Sequence, residues 1–230
     1  MNTRHSWEFF VPSSRFGTPG RTAVSAHGTR IDFADGSQAL CATSGLWNVN
    51  LGYGHPRVAD AVAQAMRDAS YLTLFRYGHE YAERAASALV EVSGADPSAR
   101  VLFSTSGSAA NDLVMKLARH YWAMAGQPQR RVVVGLRGSY HGLTYGSFAL
   151  TGEDLDQRVY GVDQRLVRHV AHDDISELRT LLDREGQRVA AVVVEPVLGS
   201  GAHALAPEFV DATGKLRLEH GFLLVADEVP

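Results

Sequence analysis

The sequence predicts an α/β fold, with a mostly parallel sheet covered by helices on both faces. Three observations predict it. From residue 100 onward, short apolar runs alternate with stretches of helical periodicity. The runs end in small residues or in a carboxylate. And 230 residues that are 45% hydrophobic can build a sizeable core in one or two domains.

The elements follow in order. Residues 1 to 20 hold Pro12, Gly17, Pro19 and Gly20 and read as an irregular lead-in. Met1 to Phe10 has no apolar core and does not read as a signal peptide. Thr29 to Asp32 and Gln38 to Cys41, joined through Asp35-Gly36, read as a hairpin. Pro56 to Ala69 carries Val58, Ala61, Val62, Ala65 and Met66 at helical spacing, with the proline where a helix start tolerates it. Tyr81 to Val92 reads as a second helix stopping near Gly94.

Strand, turn and helix then repeat. Arg100 to Phe103 is expected as the first strand and Ala109 to Trp122 as the helix after it. Arg131 to Val134 is the second strand, Ile175 to Glu185 a helix and Val189 to Val194 the third strand. Glu208 to His220 is the last helix and Phe222 to Ala226 the fourth strand.

Composition removes several function classes. The formal net charge of -3 lacks the basic footprint of nucleic-acid binders. One cysteine, Cys41, allows neither a disulfide framework nor a cysteine-based zinc site, and fits the cytoplasm. The longest apolar runs are too short to span a membrane. No metal site is expected.

Open α/β sheets bind ligands at the carboxyl ends of their strands. After the first strand comes Ser104 to Asn111, rich in small residues and opening a helix, a setting that suits a phosphate. A serine cap with a glycine turn accounts for it equally. After the second comes Gly138-Ser139-Tyr140-His141-Gly142, where an aromatic between glycines can face a flat ring or merely pack. The third ends in Glu195-Pro196, a carboxylate costly to bury unless paired. The fourth ends in Asp227-Glu228-Val229, where Asp227 needs a cationic partner, such as a protonated pyridine nitrogen, or else serves structure or a metal.

In this order the blocks resemble the class III aminotransferases, enzymes dependent on pyridoxal 5'-phosphate (PLP) of fold type I. The likeness begins at Gly45-Leu46-Trp47-Asn48-Val49-Asn50-Leu51-Gly52-Tyr53-Gly54-His55-Pro56 and runs through Ser106 to Asn111, Tyr140-His141-Gly142 and Glu195-Pro196 to Gly221–Val229. It implies a three-layer α/β/α sandwich cut before its C-terminal part. Residues 1–70 would form an N-terminal segment with the hairpin and a helix, part of a small domain. Residues 71–230 would form the first part of the large PLP-binding domain.

The resemblance also implies roles. The backbone amides of Gly107 and Ser108, with Ser106, would hold the PLP phosphate. Tyr140 would stack on one face of the ring and Val229 cover the other. Asp227 would pair with the ring nitrogen, and Glu195, also a cofactor-binding residue, would lie near the cofactor and help organise the site. Trp47 and Tyr140 would line the substrate pocket, while His141 would support the turn rather than act as a base.

The implied reaction moves an amino group from an amine or amino acid to a carbonyl acceptor, in a homodimer once the chain is complete. It needs a Schiff-base lysine, and the only two lysines, Lys116 and Lys215, match non-catalytic positions. The chain as written is therefore expected to be truncated and inactive. Ser200 stands where ornithine-type members carry a glutamate, and Ala109 where the family often does. The stretches Ser44 to Tyr53 and Phe75-Arg76-Tyr77-Gly78 also resemble daptide-type enzymes that modify peptides. A non-catalytic fragment or pseudoenzyme, binding PLP or a partner subunit, and another PLP activity such as an aminomutase remain open alternatives.

Overall fold

The computed structural model describes residues 5–9 and 11–229. The lead-in and the absence of a signal peptide fall partly on residues 1–4 and 10, and the end of the Asp-Glu-Val-Pro block on residue 230; these lie outside the described residues. The chain divides into two compact units, Met1–Val101 and Leu102–Pro230.

In the first unit, β1 (Ala23–His27), β2 (Arg30–Phe33) and β3 (Gln38–Leu40) form an antiparallel meander. The Asp35-Gly36 turn joins β2 to β3, with Gly36 at a positive φ of 85°. β1 extends the expected hairpin by a strand. Ser44–Trp47 (α1) is a single left-handed turn: Ser44, Gly45, Leu46 and Trp47 all have positive φ. L-residues disfavour this by roughly 1–2 kcal/mol each. The side-chain amide of Asn48 braces the turn by donating to the carbonyls of Leu46 at 2.7 Å and Gly45 at 3.2 Å. α2 (Pro56–Asp68) begins at its proline, and α3 (Glu80–Ser93) ends on Gly94 in the left-handed region. No described residue of this unit is buried.

The second unit holds a four-stranded sheet in which every pairing is parallel, in the order β5-β4-β6-β9. Its strands are β4 (Val132–Leu136), β5 (Val167–Val170), β6 (Val189–Val194) and β9 (Leu223–Ala226). β4 and β6, flanked on both edges, are buried throughout and read as unbroken apolar runs for that reason. One face packs on α4 (Gly107–Met124) and α5 (Tyr145–Leu150): Met115, Ala118, Trp122, Ala149 and Leu150 meet Val133, Ala191 and Val193. The other packs on α6 (Ile175–Glu185) and α7 (Pro207–His220): Leu178, Leu182, Phe209 and Leu216 meet Val132, Val134, Val192 and Val194. The result is the expected three-layer α/β/α arrangement.

One expectation fails. Arg100–Phe103 is not a strand. Val101, Leu102 and Phe103 are apolar, but a strand exists only when a neighbour closes its hydrogen-bond ladder. Among the described residues nothing pairs with it, and Leu102 is 64% exposed. In the second unit the edge strand β5, the short helix α5 and a small hairpin of β7 (Val197–Leu198) and β8 (His203–Ala204) exceed expectation.

Candidate functional site

The site lies at the carboxyl ends of β4, β6 and β9, around the start of α4. Ser106 caps that helix, its hydroxyl accepting the amide of Ala109 at 3.2 Å. The amides of Gly107 and Ser108 precede the first intrahelical bond, which runs from Ala110 to the Ser106 carbonyl. They have no partner among the described residues, and a side chain on Gly107 would meet only open space. The positive end of the helix dipole adds to their pull on an anion.

The loop after β4 is seated on this helix. The Ser108 hydroxyl accepts the Leu143 amide at 3.2 Å. Gly142 has a φ of 121°, and a Cβ there would collide with the Ser108 side chain. Only glycine lets the loop lie so close. Asp112, also on α4, receives the Thr144 hydroxyl at 2.5 Å and the Ser147 amide at 2.6 Å, so it caps α5 from outside.

Tyr140 and His141 are consecutive but face different surroundings. Tyr140 keeps 41% of its surface exposed, and burial of the rest, with Glu153 nearby, pushes its phenol above the usual tyrosine range. His141 is buried and held at three points. Its amide donates to the Thr151 hydroxyl at 3.0 Å, its carbonyl accepts the Asn111 side-chain amide at 3.0 Å, and its Nδ1 meets Asp227 Oδ2 at 2.8 Å.

Asp227 follows β9 directly, its amide donating to the Val194 carbonyl at 2.8 Å. The Asn111 amide also reaches Oδ2, at 2.8 Å. Both protein donors thus take the same oxygen, and Oδ1 has no partner among the described residues. Burial pushes the carboxyl up, but the hydrogen bonds from His141 and Asn111 and the imidazole beside it outweigh that, leaving it below the usual range. Asp227 is therefore an anion with one oxygen to spare.

Glu195 ends β6 and is 3% exposed. Its Oε2 accepts the Tyr140 amide at 2.9 Å and its Oε1 the Gly199 amide at 3.1 Å. Burial raises its carboxyl above the usual range, and Asp227 opposes ionisation too, while the two amides and His141 pull it back. No Lys or Arg pairs with it among the described residues.

Ser106, Gly107, Ser108, Tyr140, Glu195 and Asp227 thus gather in one region of the second unit. Val229, two residues beyond Asp227, is 53% exposed. Trp47 belongs to the first unit, on the left-handed turn, and is 41% exposed. Sequence reasoning gave Asn111 no role. A signal was present: Asn111, Met115, Ala118 and Trp122 form the buried stripe of α4, and a polar residue in such a stripe needs a polar partner. Among the described residues there is no cluster of His, Cys, Asp and Glu able to hold a metal, and no helix long and apolar enough to cross a membrane.

Known proteins resemble this chain along nearly its whole length. The family model described as aminotransferase class-III matches residues 16–230. The acetylornithine aminotransferase of Mycolicibacterium smegmatis is 33% identical, over 100% of this chain and 55% of that protein. The omega-aminotransferase of Caulobacter vibrioides is 29% identical, over 97% of this chain and 55% of that protein. Among solved structures, an aminotransferase of Bacillus anthracis superposes with a TM-score of 0.88 at 29% identity, covering 96% of this chain and 52% of that one. The PMP-bound form of an aminotransferase from Vibrio fluvialis gives 0.87 at 26% identity, covering 97% and 54%. The chain spans about half the length of the curated relatives it matches.

Proposed function

This chain belongs to the class III aminotransferase family, and from that premise we propose that it carries the cofactor-binding part of a transaminase. The reaction would move an amino group from an amine or amino-acid donor to a carbonyl acceptor. Pyridoxal 5'-phosphate is the cofactor the family relationship indicates. One observation carries the reading. Asp227 has a held oxygen and a spare one, and the residue holding it, Asn111, lies one helical turn from the unpartnered amides of Gly107 and Ser108. A helical turn rises about 5.4 Å, so an anion subsite and a carboxylate stand within reach of the two ends of one small, flat, phosphorylated ring.

The residues present fit that group. The Gly107 and Ser108 amides, with the Ser106 hydroxyl, would hold the phosphate. Asp227 Oδ1 would accept the N–H of the ring nitrogen and keep the proton there by its charge. When bound, the cofactor supplies an electron sink for charge that develops at the substrate carbon. Tyr140 would offer its exposed ring to one face and Val229 its side chain to the other, excluding water. Glu195 would organise the loops beneath.

Neither lysine of this chain is assigned a catalytic role. Lys116 and Lys215 are both exposed on helices. The reading places the catalytic lysine outside these 230 residues, so transfer itself belongs to a longer protein. Homodimeric assembly and a cytoplasmic setting are part of the same proposal.

The test is calorimetric titration of the chain with pyridoxamine 5'-phosphate, which needs no covalent bond. Saturable binding that inorganic phosphate competes away, and that Asp227→Ala abolishes, is expected. Binding indifferent to both changes, or no binding, sinks the reading.

A further inference from the structure

The carboxylate of Glu195 has two oxygens, and each holds the backbone of a different loop. Oε2 takes the amide of Tyr140, 55 residues away in sequence, and Oε1 that of Gly199. Burying a carboxylate without a cationic partner is costly. Two charge-assisted bonds to amides are the compensation here, and both come from main chain.

Position gives the arrangement its consequence. The amide that Glu195 holds belongs to the residue whose ring is half exposed at the site. The next residue, His141, is fixed independently to Asp227, Thr151 and Asn111. The second held amide opens the turn between β7 and β8, where Gly201 and Ala202 have positive φ of 89° and 52°. Beside the β7–β8 pairing, the buried carboxylate anchors the first residue of this turn.

We infer that Glu195 is a positioning residue: it sets the Tyr140 ring against the cofactor plane and couples that ring to the Gly199–Gly201 turn. The inference rests on the proposed cofactor reading for the word cofactor, but not for the clamp itself. Glu195 on this account touches no ligand. It fixes where the aromatic face stands, and a displacement of the β7–β8 turn is transmitted to that face through one side chain. Loss of the clamp therefore weakens ring binding and leaves the phosphate subsite at the start of α4 untouched.

The experiment has two arms, run on the full chain and on Glu195→Gln and Glu195→Asp. The first is amide hydrogen exchange at Tyr140 and Gly199. Glutamine keeps one acceptor oxygen and turns an NH2 group toward the other amide, so one of the two sites should exchange at least about tenfold faster, the worth of one charge-assisted bond. The second arm compares the affinity for pyridoxamine 5'-phosphate with that for inorganic phosphate. In Glu195→Gln the first should weaken about tenfold while the second holds, by the same single-bond reckoning. Unchanged exchange at both amides overturns the clamp. Equal weakening of both ligands overturns the positioning role, since a general loss of structure would do that. Should the unaltered chain bind phosphate but no pyridoxamine phosphate, the cofactor reading falls, and the exchange arm still decides the clamp. If Glu195→Gln does not fold, Glu195→Asp, which keeps the charge but shortens the reach, is read in the same two arms.

Discussion

Glu195 and Asp227 stand at the carboxyl ends of two adjacent parallel strands, β6 and β9, and the Asp227 amide even bonds to the last carbonyl of β6. Their environments differ in one respect. Both oxygens of Glu195 are taken by backbone amides of loops, whereas both donors to Asp227 converge on a single oxygen. Burial works against ionisation at both. At Asp227 it is outweighed, and at Glu195 it wins. Chemically similar groups on neighbouring strands thus divide into one that faces inward and organises, and one held as an anion with a vacancy in its hydrogen bonding. That vacancy, rather than the presence of a carboxylate at a strand end, marks the ligand-facing group.

The largest effect that tests the comparison is expected from Asp227→Ala. It removes the spare oxygen and strands His141 Nδ1 and one N–H of the Asn111 amide, whose other bond runs to the His141 carbonyl. Affinity for pyridoxamine 5'-phosphate should fall at least about a hundredfold in a titration, in keeping with the roughly 3–5 kcal/mol lost when one member of a buried charged pair is removed. Next comes Gly142→Ala, which breaks the seat shared by the aromatic loop and α4. A side chain at its φ of 121° would collide with Ser108. A loss of about 3 kcal/mol in urea denaturation is expected from strain and collision together. Smaller again is Asn111→Leu, which takes one donor from Asp227. About 1–3 kcal/mol should be lost, with Asp227 easier to protonate.

The smallest effect separates the two strand ends by sign. Asp227 titrates low, so its ionised form stabilises the fold above the usual carboxylate range, and that contribution is lost as pH falls through its depressed value. Glu195 titrates high, so its favourable contribution is present at low pH and is lost as pH rises through its elevated value. Urea denaturation across pH should therefore show Glu195→Gln gaining on the unaltered chain as pH rises above the carboxylate range. Asp227→Asn should gain on it as pH falls below that range. Parallel curves would erase the distinction.

How much of this was legible in the sequence depends on how local each cause is. Ile175–Glu185 and Val189–Val194 have the expected bounds because their causes are local: Asp174 caps the first from the adjoining position, and the second is an unbroken apolar run. Helix α5 was not legible, since Asp112 caps it from another helix. Strand β5 is four residues long with Arg168 and His169 at its centre; they make sense only beside Glu185 and the Leu150 carbonyl. Arg100–Phe103 failed the other way, reading as a strand without a described partner. The left-handed turn at Ser44–Trp47 has three non-glycine residues at positive φ, which residue preferences argue against. At the site, the order of the blocks located the ends of β4, β6 and β9, but set the turn at Ser104–Asn111 after a strand that does not form. It could not tell which carboxylate was satisfied, because their donors, apart from Gly199, lie 55 to 116 residues away.

The central claim is that Asp227 Oδ1 receives a ring N–H and keeps it protonated. Nitrogen NMR of 15N-labelled pyridoxamine 5'-phosphate bound to the chain near neutral pH tests this directly. The account predicts a protonated ring nitrogen in the unaltered chain and an unprotonated one for whatever Asp227→Asn still binds. An unprotonated nitrogen in the unaltered chain, or the same signal in both, would contradict it.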